Sequence, residues 1–206
     1  MLGFANRHLG WLKPLLPRRA KRLLLLTLFG IGREGIRLPS RQMLEQEVLP
    51  RLGSLGFRRA LFVGVGPYTS HYEAIARRGG AAWATCDINP SAAVWGAKEH
   101  VTAPIEEIDR RFSAGSFDAV IVNGVLGFGL DAPAQVEQAF TAIAHVLRRG
   151  GLLLLGWNSD ATPDPLAAER IRADFRPAAE LPFPARREFA SENFVFDFQI
   201  YAPRAR

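Results

Sequence analysis

A chain of 206 residues with 48% hydrophobic content is long enough for one α/β domain with a good core and too apolar for disorder. Residues 1–41 hold nine of the 26 Lys and Arg and one acid, Glu34, a local net charge of +8, whereas the remainder carries 17 basic and 19 acidic residues, a net −2. The overall basic balance therefore belongs to one segment and does not imply a nucleic-acid partner, and the single cysteine, Cys86, excludes an internal disulfide and fits a reducing, cytoplasmic setting.

The first 41 residues mix Leu2, Phe4, Leu9, Trp11, Leu12, Leu15 and Leu16 with basic side chains, are broken by Pro14 and Pro17, and then run into an apolar stretch ending at Ile31. That stretch is far shorter than the ~20 residues a spanning helix needs, and no small-x-small cleavage pattern follows it. Three readings stay open for this segment. It can cover a substrate site as a lid, it can lie on a membrane surface through residues 1–38, or it can form a homo-oligomer contact. Residues 42–206 are expected to form a single domain.

Pro39 and Ser40 open a helix on which Met43, Leu44, Val48 and Leu49 recur at three-to-four spacing, weakening at Pro50 or Gly53. Residues 60–65 are an unbroken small or apolar run, the pattern of a strand buried on both faces. Gly64 and Gly66 break the run, and a helix is expected from Thr69 and Ser70, with Tyr68, Tyr72, Ile75 and Ala76 at helical spacing. Residues 81–88 read as a second buried strand ending in Asp87, an acid placed either to accept ribose hydroxyls or to cap the turn at Asn89 and Pro90. A short helix over 90–98 and a short strand over 100–103 follow.

Residues 117–123 form another buried strand, leading into Asn123-Gly-Val-Leu-Gly-Phe-Gly129. Ligands of open α/β sheets sit off the carboxyl ends of the strands, so this loop is expected at the site. Asn123 either bonds a ligand or caps the strand. A helix from Asp131 carries Val136, Phe140, Ile143, Ala144 and Leu147 on one face, closing on Arg148 and Arg149, before a strand over 150–157. After a proline-rich stretch with a short helix over 165–175, residues 186–190 and 194–201 read as two strands, the second alternating with a period of two. The pattern predicts an α/β fold: an open, mostly parallel twisted sheet with helices on both faces and a C-terminal antiparallel strand pair.

The ordered set Leu-Phe-Val-Gly-Val-Gly at 61–66, Cys-Asp-Ile-Asn-Pro at 86–90, Phe-Asp-Ala-Val-Ile-Val-Asn at 117–123 and Leu-Arg-Arg-Gly-Gly-Leu-Leu-Leu at 147–154 resembles the class I, Rossmann-like S-adenosylmethionine-dependent methyltransferases. The resemblance implies a transferase using S-adenosylmethionine and acting on a small-molecule acceptor, free or linked to a saccharide or lipid. It implies a cofactor site built from Gly64, Val65, Gly66, Tyr68, Asp87, Ile88 and Asn123. His71, one turn past the glycines, is the candidate general base or a packing residue, since an imidazole can take a proton near neutral pH. Three positions depart from the family pattern: Phe62 replaces an acid, Tyr68 replaces a third glycine, and Ala103-Pro104 stands where an acid meets adenine. A catalytically inactive binding or scaffold protein of the same fold is the alternative. A nicotinamide reductase is disfavoured by Thr69 in the place of the third glycine of G-x-G-x-x-G. No residues carry metal-ligand spacing.

Overall fold

The computed structural model describes residues 38–203; the three readings of the N-terminal segment lie outside the described residues. Eight strands form one sheet: β1 (Arg59–Val63), β2 (Ala82–Asp87), β3 (Glu99–Thr102), β4 (Phe117–Asn123), β5 (Leu147–Asn158), β6 (Phe175–Pro177), β7 (Arg186–Phe189) and β8 (Phe194–Tyr201). Their order is β3-β2-β1-β4-β5-β8-β6, with β7 also paired to β8. β1 to β5 run parallel, and β8 pairs antiparallel with β5, β6 and β7. The order reverses between β1 and β4, which opens a crevice at their carboxyl ends.

Because the central strands are buried on both sides, alternate residues feed two cores. On one face Leu61, Val63, Val120 and Leu153 pack with Phe140 and Ile143 of helix α3 (Pro133–Val146). On the other, Phe62, Ile121 and Leu154 pack with Leu44, Val48 and Leu49, and with Tyr72 and Ala76 of α2 (Tyr72–Arg78). The first helix, α1 (Pro39–Met43), widens into a π-helical turn (Leu44–Val48) and closes as a 3₁₀ turn (Leu49–Arg51). Pro50 explains the widening, because its ring would clash with the carbonyl four residues back. This helix carries Arg41 across the expected boundary at residues 41 and 42, and Ser40 and Met43 are already buried.

Several expectations change. The helix after the glycines does not start at Thr69: a 3₁₀ turn (Pro67–Thr69) intervenes, fixed by Thr69 Oγ1, which accepts the Gly66 N–H at 3.0 Å. Residues 90–95 make a 3₁₀ helix (Pro90–Trp95) rather than an α-helix. Arg148 and Arg149 belong to β5, not to α3. Asp118 on β4 pairs with the Arg148 guanidinium and accepts the Arg58 and Arg59 amides at 2.9 and 2.8 Å, locking three strand starts together. The expected helix over 165–175 is a 3₁₀ turn (Pro165–Ala167) and then α4 (Glu169–Asp174), and β6 was not anticipated. The alternation in β8 does not separate a wet face from a dry one: Asp197 and Gln199 are 3% and 4% exposed, because β8 is an interior strand. Among the described residues no helix is long and apolar enough to cross a membrane, and no His/Cys/Asp/Glu group could hold a metal ion.

Candidate active site

The glycine turn follows β1 because Gly64 takes φ +85°, a conformation costly for any residue with a Cβ. A Cβ there would also stand 2.9 Å from Val125 Cγ2, so the turn and the loop after β4 touch only because residue 64 is glycine. The Gly64 N–H donates to the Cys86 carbonyl at 2.9 Å, continuing the β1–β2 ladder. The next amide, Val65, donates to Asp87 Oδ2 at 2.7 Å, and Oδ1 of the same carboxylate accepts the Asn89 amide at 2.8 Å. Asp87 therefore caps the turn at Asn89, one of the two roles its sequence position allowed, and also holds the glycine turn. Behind it, burial pushes the Cys86 thiol up to about 12, and the thiol donates to the Ala103 carbonyl at 3.2 Å.

A cavity of about 180 Å³ opens at these strand ends. Of the residues expected at the site, Gly64, Val65, Tyr68, Asp87, Ile88 and Asn123 line it, and Gly66 and His71 do not. Gly66 is extended, at φ −154°. Its missing side chain leaves room for the Tyr68 ring, whose Cε1 would be 3.0 Å from a Cβ at that position. His71 begins α2, half exposed, with Nε2 3.1 Å from Glu45 Oε1 and its ring edge-on to Tyr72. The candidate base thus faces the helix that precedes β1. Phe62, in the place of the family's acid, points into the core, stacked on Trp83 at 5.7 Å and edge-on to Tyr72 at 5.4 Å.

Glu106 and Leu130 line the cavity without having been singled out in the sequence, and Phe128 lines it from the loop expected there. Glu106 belongs to a 3₁₀ helix (Ile105–Arg110) too short to show a clear period, and Phe128 lies between Gly127 and Gly129. Both glycines have positive φ, at +81° and +102°, and Gly124 at the loop's start has φ +67°. The loop is tied down by the Gly124 amide on the Gly156 carbonyl at 2.9 Å and by Thr162 Oγ1 on the Leu126 carbonyl at 3.3 Å. Asn123 closes β4 with its Oδ1 against Gly156, where any Cβ would collide with it. Apolar walls, a carboxylate on the β2 tip and a close-packed glycine turn fit an adenosine-bearing ligand.

Residues 61–155 match the model of a family described as "Methyltransferase domain". Over these residues the chain is similar to that family, and its fold is that of the class I methyltransferases. The chain has no match among curated proteins, but many solved structures share its fold. The 1,6-didemethyltoxoflavin N1-methyltransferase of Burkholderia thailandensis, with 1,6-didemethyltoxoflavin and S-adenosylhomocysteine bound, is 18% identical at a TM-score of 0.54, covering 92% of each chain. The N-methyltransferase NodS of Bradyrhizobium japonicum, in complex with S-adenosyl-L-homocysteine, is 15% identical at 0.59, covering 86% of this chain and 98% of that one. A 16S rRNA methyltransferase of T. thermophilus, with AdoMet and guanosine, is 16% identical at 0.55; the match covers 83% of the present chain but only 40% of that enzyme. At these identities the likeness is one of fold. Each of these three structures holds S-adenosylmethionine or S-adenosylhomocysteine.

Proposed function

We propose that the enzyme methylates a small-molecule acceptor with an apolar or aromatic body, free or carried on a saccharide or lipid, beside Phe128. One observation carries this reading. The large hydrophobics left exposed among the described residues are Tyr68, Ile88 and Phe128, at 43%, 66% and 66%, and all three line the same cavity. Exposed apolar side chains that converge on one concave site mark a ligand surface. The described residues hold no inserted domain that would present a second, macromolecular surface, and the toxoflavin-type relative covers the two chains almost end to end.

In this reading Asp87 accepts hydrogen bonds from the ribose, Ile88 lies against the adenine, and the Gly64–Val65–Gly66 turn and Tyr68 border the amino-acid part. Asn123 orients the group to be methylated. S-adenosylmethionine supplies an activated methyl group on a sulfonium. The chain contributes alignment and exclusion of water, the two requirements of a displacement at carbon. His71 has no role here, since it faces Glu45. The basic, apolar N-terminal segment is the proposed cover of the acceptor site, a reading that its composition supports.

Incubation with labelled S-adenosylmethionine and fractionated cell extract tests the acceptor class. Label in the low-molecular-weight or lipid fraction supports the proposal, and label confined to RNA or protein overturns it. Phe128→Ala should lower that labelling severalfold without altering the melting temperature, because an exposed side chain contributes little to folding. Removing residues 1–37 leaves α1 intact and should abolish labelling while S-adenosylhomocysteine still binds.

A further inference from the structure

The cavity contains two carboxylates, Asp87 and Glu106, and no Lys, Arg or His among its described lining residues. That suits the cationic parts of S-adenosylmethionine but leaves its carboxylate without a counter-charge. One cation stands close by, on α1. Arg41 places its Cζ 3.8 Å from the centroid of the Tyr68 ring, and Tyr68 is a wall of the cavity. Stacking on an aromatic face holds a guanidinium in place while leaving its N–H groups able to bind a carboxylate in a two-pronged fashion.

Two further features bear on Arg41. Its guanidinium makes no ion pair or side-chain hydrogen bond with another described residue, whereas Arg59, Arg77, Arg148, Arg170, Arg176 and Arg186 each meet an acid. Glu45, one turn along the helix, is occupied by His71 at 3.1 Å. The root of Arg41 is also fixed. The preceding residue, Ser40, is buried, and its amide donates to Glu192 Oε1 at 2.9 Å while its hydroxyl donates to Oε2. A cation with a fixed root and an aromatic rest thus lies against Tyr68, a wall residue of the cavity.

We propose that Arg41 is the receptor for the cofactor's carboxylate, held in place by Tyr68. The inference rests on the cofactor reading of the cavity.

Calorimetric titration of the full chain and of Arg41→Gln with S-adenosylhomocysteine and with methylthioadenosine, which lacks the amino-acid part, tests it. Loss of a charge-assisted hydrogen bond should weaken S-adenosylhomocysteine about tenfold or more in the variant and leave methylthioadenosine unchanged. Arg41→Lys, which keeps the charge but not the flat stack, should fall between. The wild-type protein gives the same test from the ligand's side, by preferring S-adenosylhomocysteine over its carboxamide. Unchanged S-adenosylhomocysteine affinity in Arg41→Gln, or equal losses for both ligands, overturns the assignment while the cofactor site stands. Failure of the wild type to bind either ligand sinks the cofactor site itself and the assignment with it.

Discussion

Asp87 Oδ2 accepts the backbone N–H of Val65 at 2.7 Å, which joins the tip of β2 to the glycine turn after β1. With the Asn89 amide on its other oxygen, the carboxylate sets the distance between the two loops that flank the cavity mouth. Asp87→Ala should lower stability by about 1–3 kcal/mol, since two amides lose a charged acceptor. It should also weaken S-adenosylhomocysteine at least about tenfold. Asp87→Asn should lose nearly as much, because its amide nitrogen would face an N–H donor. Urea midpoints and calorimetry measure the two effects separately.

Gly64→Ala meets two obstacles at once, a φ of +85° and the Val125 methyl at 2.9 Å. The left-handed conformation alone costs roughly 1–2 kcal/mol. We expect a loss of at least that size in chemical denaturation, together with loss of S-adenosylhomocysteine binding. Gly56→Ala is the control: its φ is +87°, but no atom lies within 4 Å of the new Cβ. It should show the backbone cost and keep the ligand.

Cys86 is fully buried and its thiol is pushed up to about 12, chiefly by desolvation. The thiolate is the reactive form, so the native protein should resist disulfide reagents at neutral pH and label fully once unfolded in guanidinium chloride. Prompt labelling of the native state would show that the β2 tip opens far more often than this packing implies.

Asp197 gives a pH dependence of defined sign. Burial raises its pKa above the ordinary 3.8, while the Gln199 amide, donating to Oδ1 at 2.6 Å, and the Arg186 charge pull it back down. The folded state therefore holds this proton more tightly than the unfolded chain. Its contribution to stability is greatest below pH 3.8 and falls as the pH rises from there through the folded value. Asp197→Asn keeps an oxygen for Gln199 and removes the titration. Between pH 4 and neutrality, taken as about the window above an ordinary carboxylate, the variant should gain on the wild type in urea midpoint. A constant difference across that range would remove Asp197 as the source.

The residues themselves announced the central strands and the glycine turn. Residues 117–123 match β4 to the residue, because a strand buried on both faces shows a continuous apolar run whatever packs on it. Gly64 and Asp87 were legible for a similar reason: a positive φ and an acid at a strand tip follow from rules acting over a few residues. Where each helix stopped was less legible. Arg148 and Arg149 looked like the end of α3 until Asp118, a neighbour only across the sheet, drew Arg148 into β5. β6 spans three residues, too few to show any period, and it exists because β8 offers it an edge. The same holds for the site. Glu106 and Phe128 reach the cavity from a short 3₁₀ helix and a loop, Asp197 is buried by strands on either side, and Arg41 meets Tyr68 only after α1 has docked on the sheet. Periodicity and backbone conformation are properties of neighbours along the chain. Which side chains meet across the crevice depends on strand register and docking, and those are set when the sheet assembles.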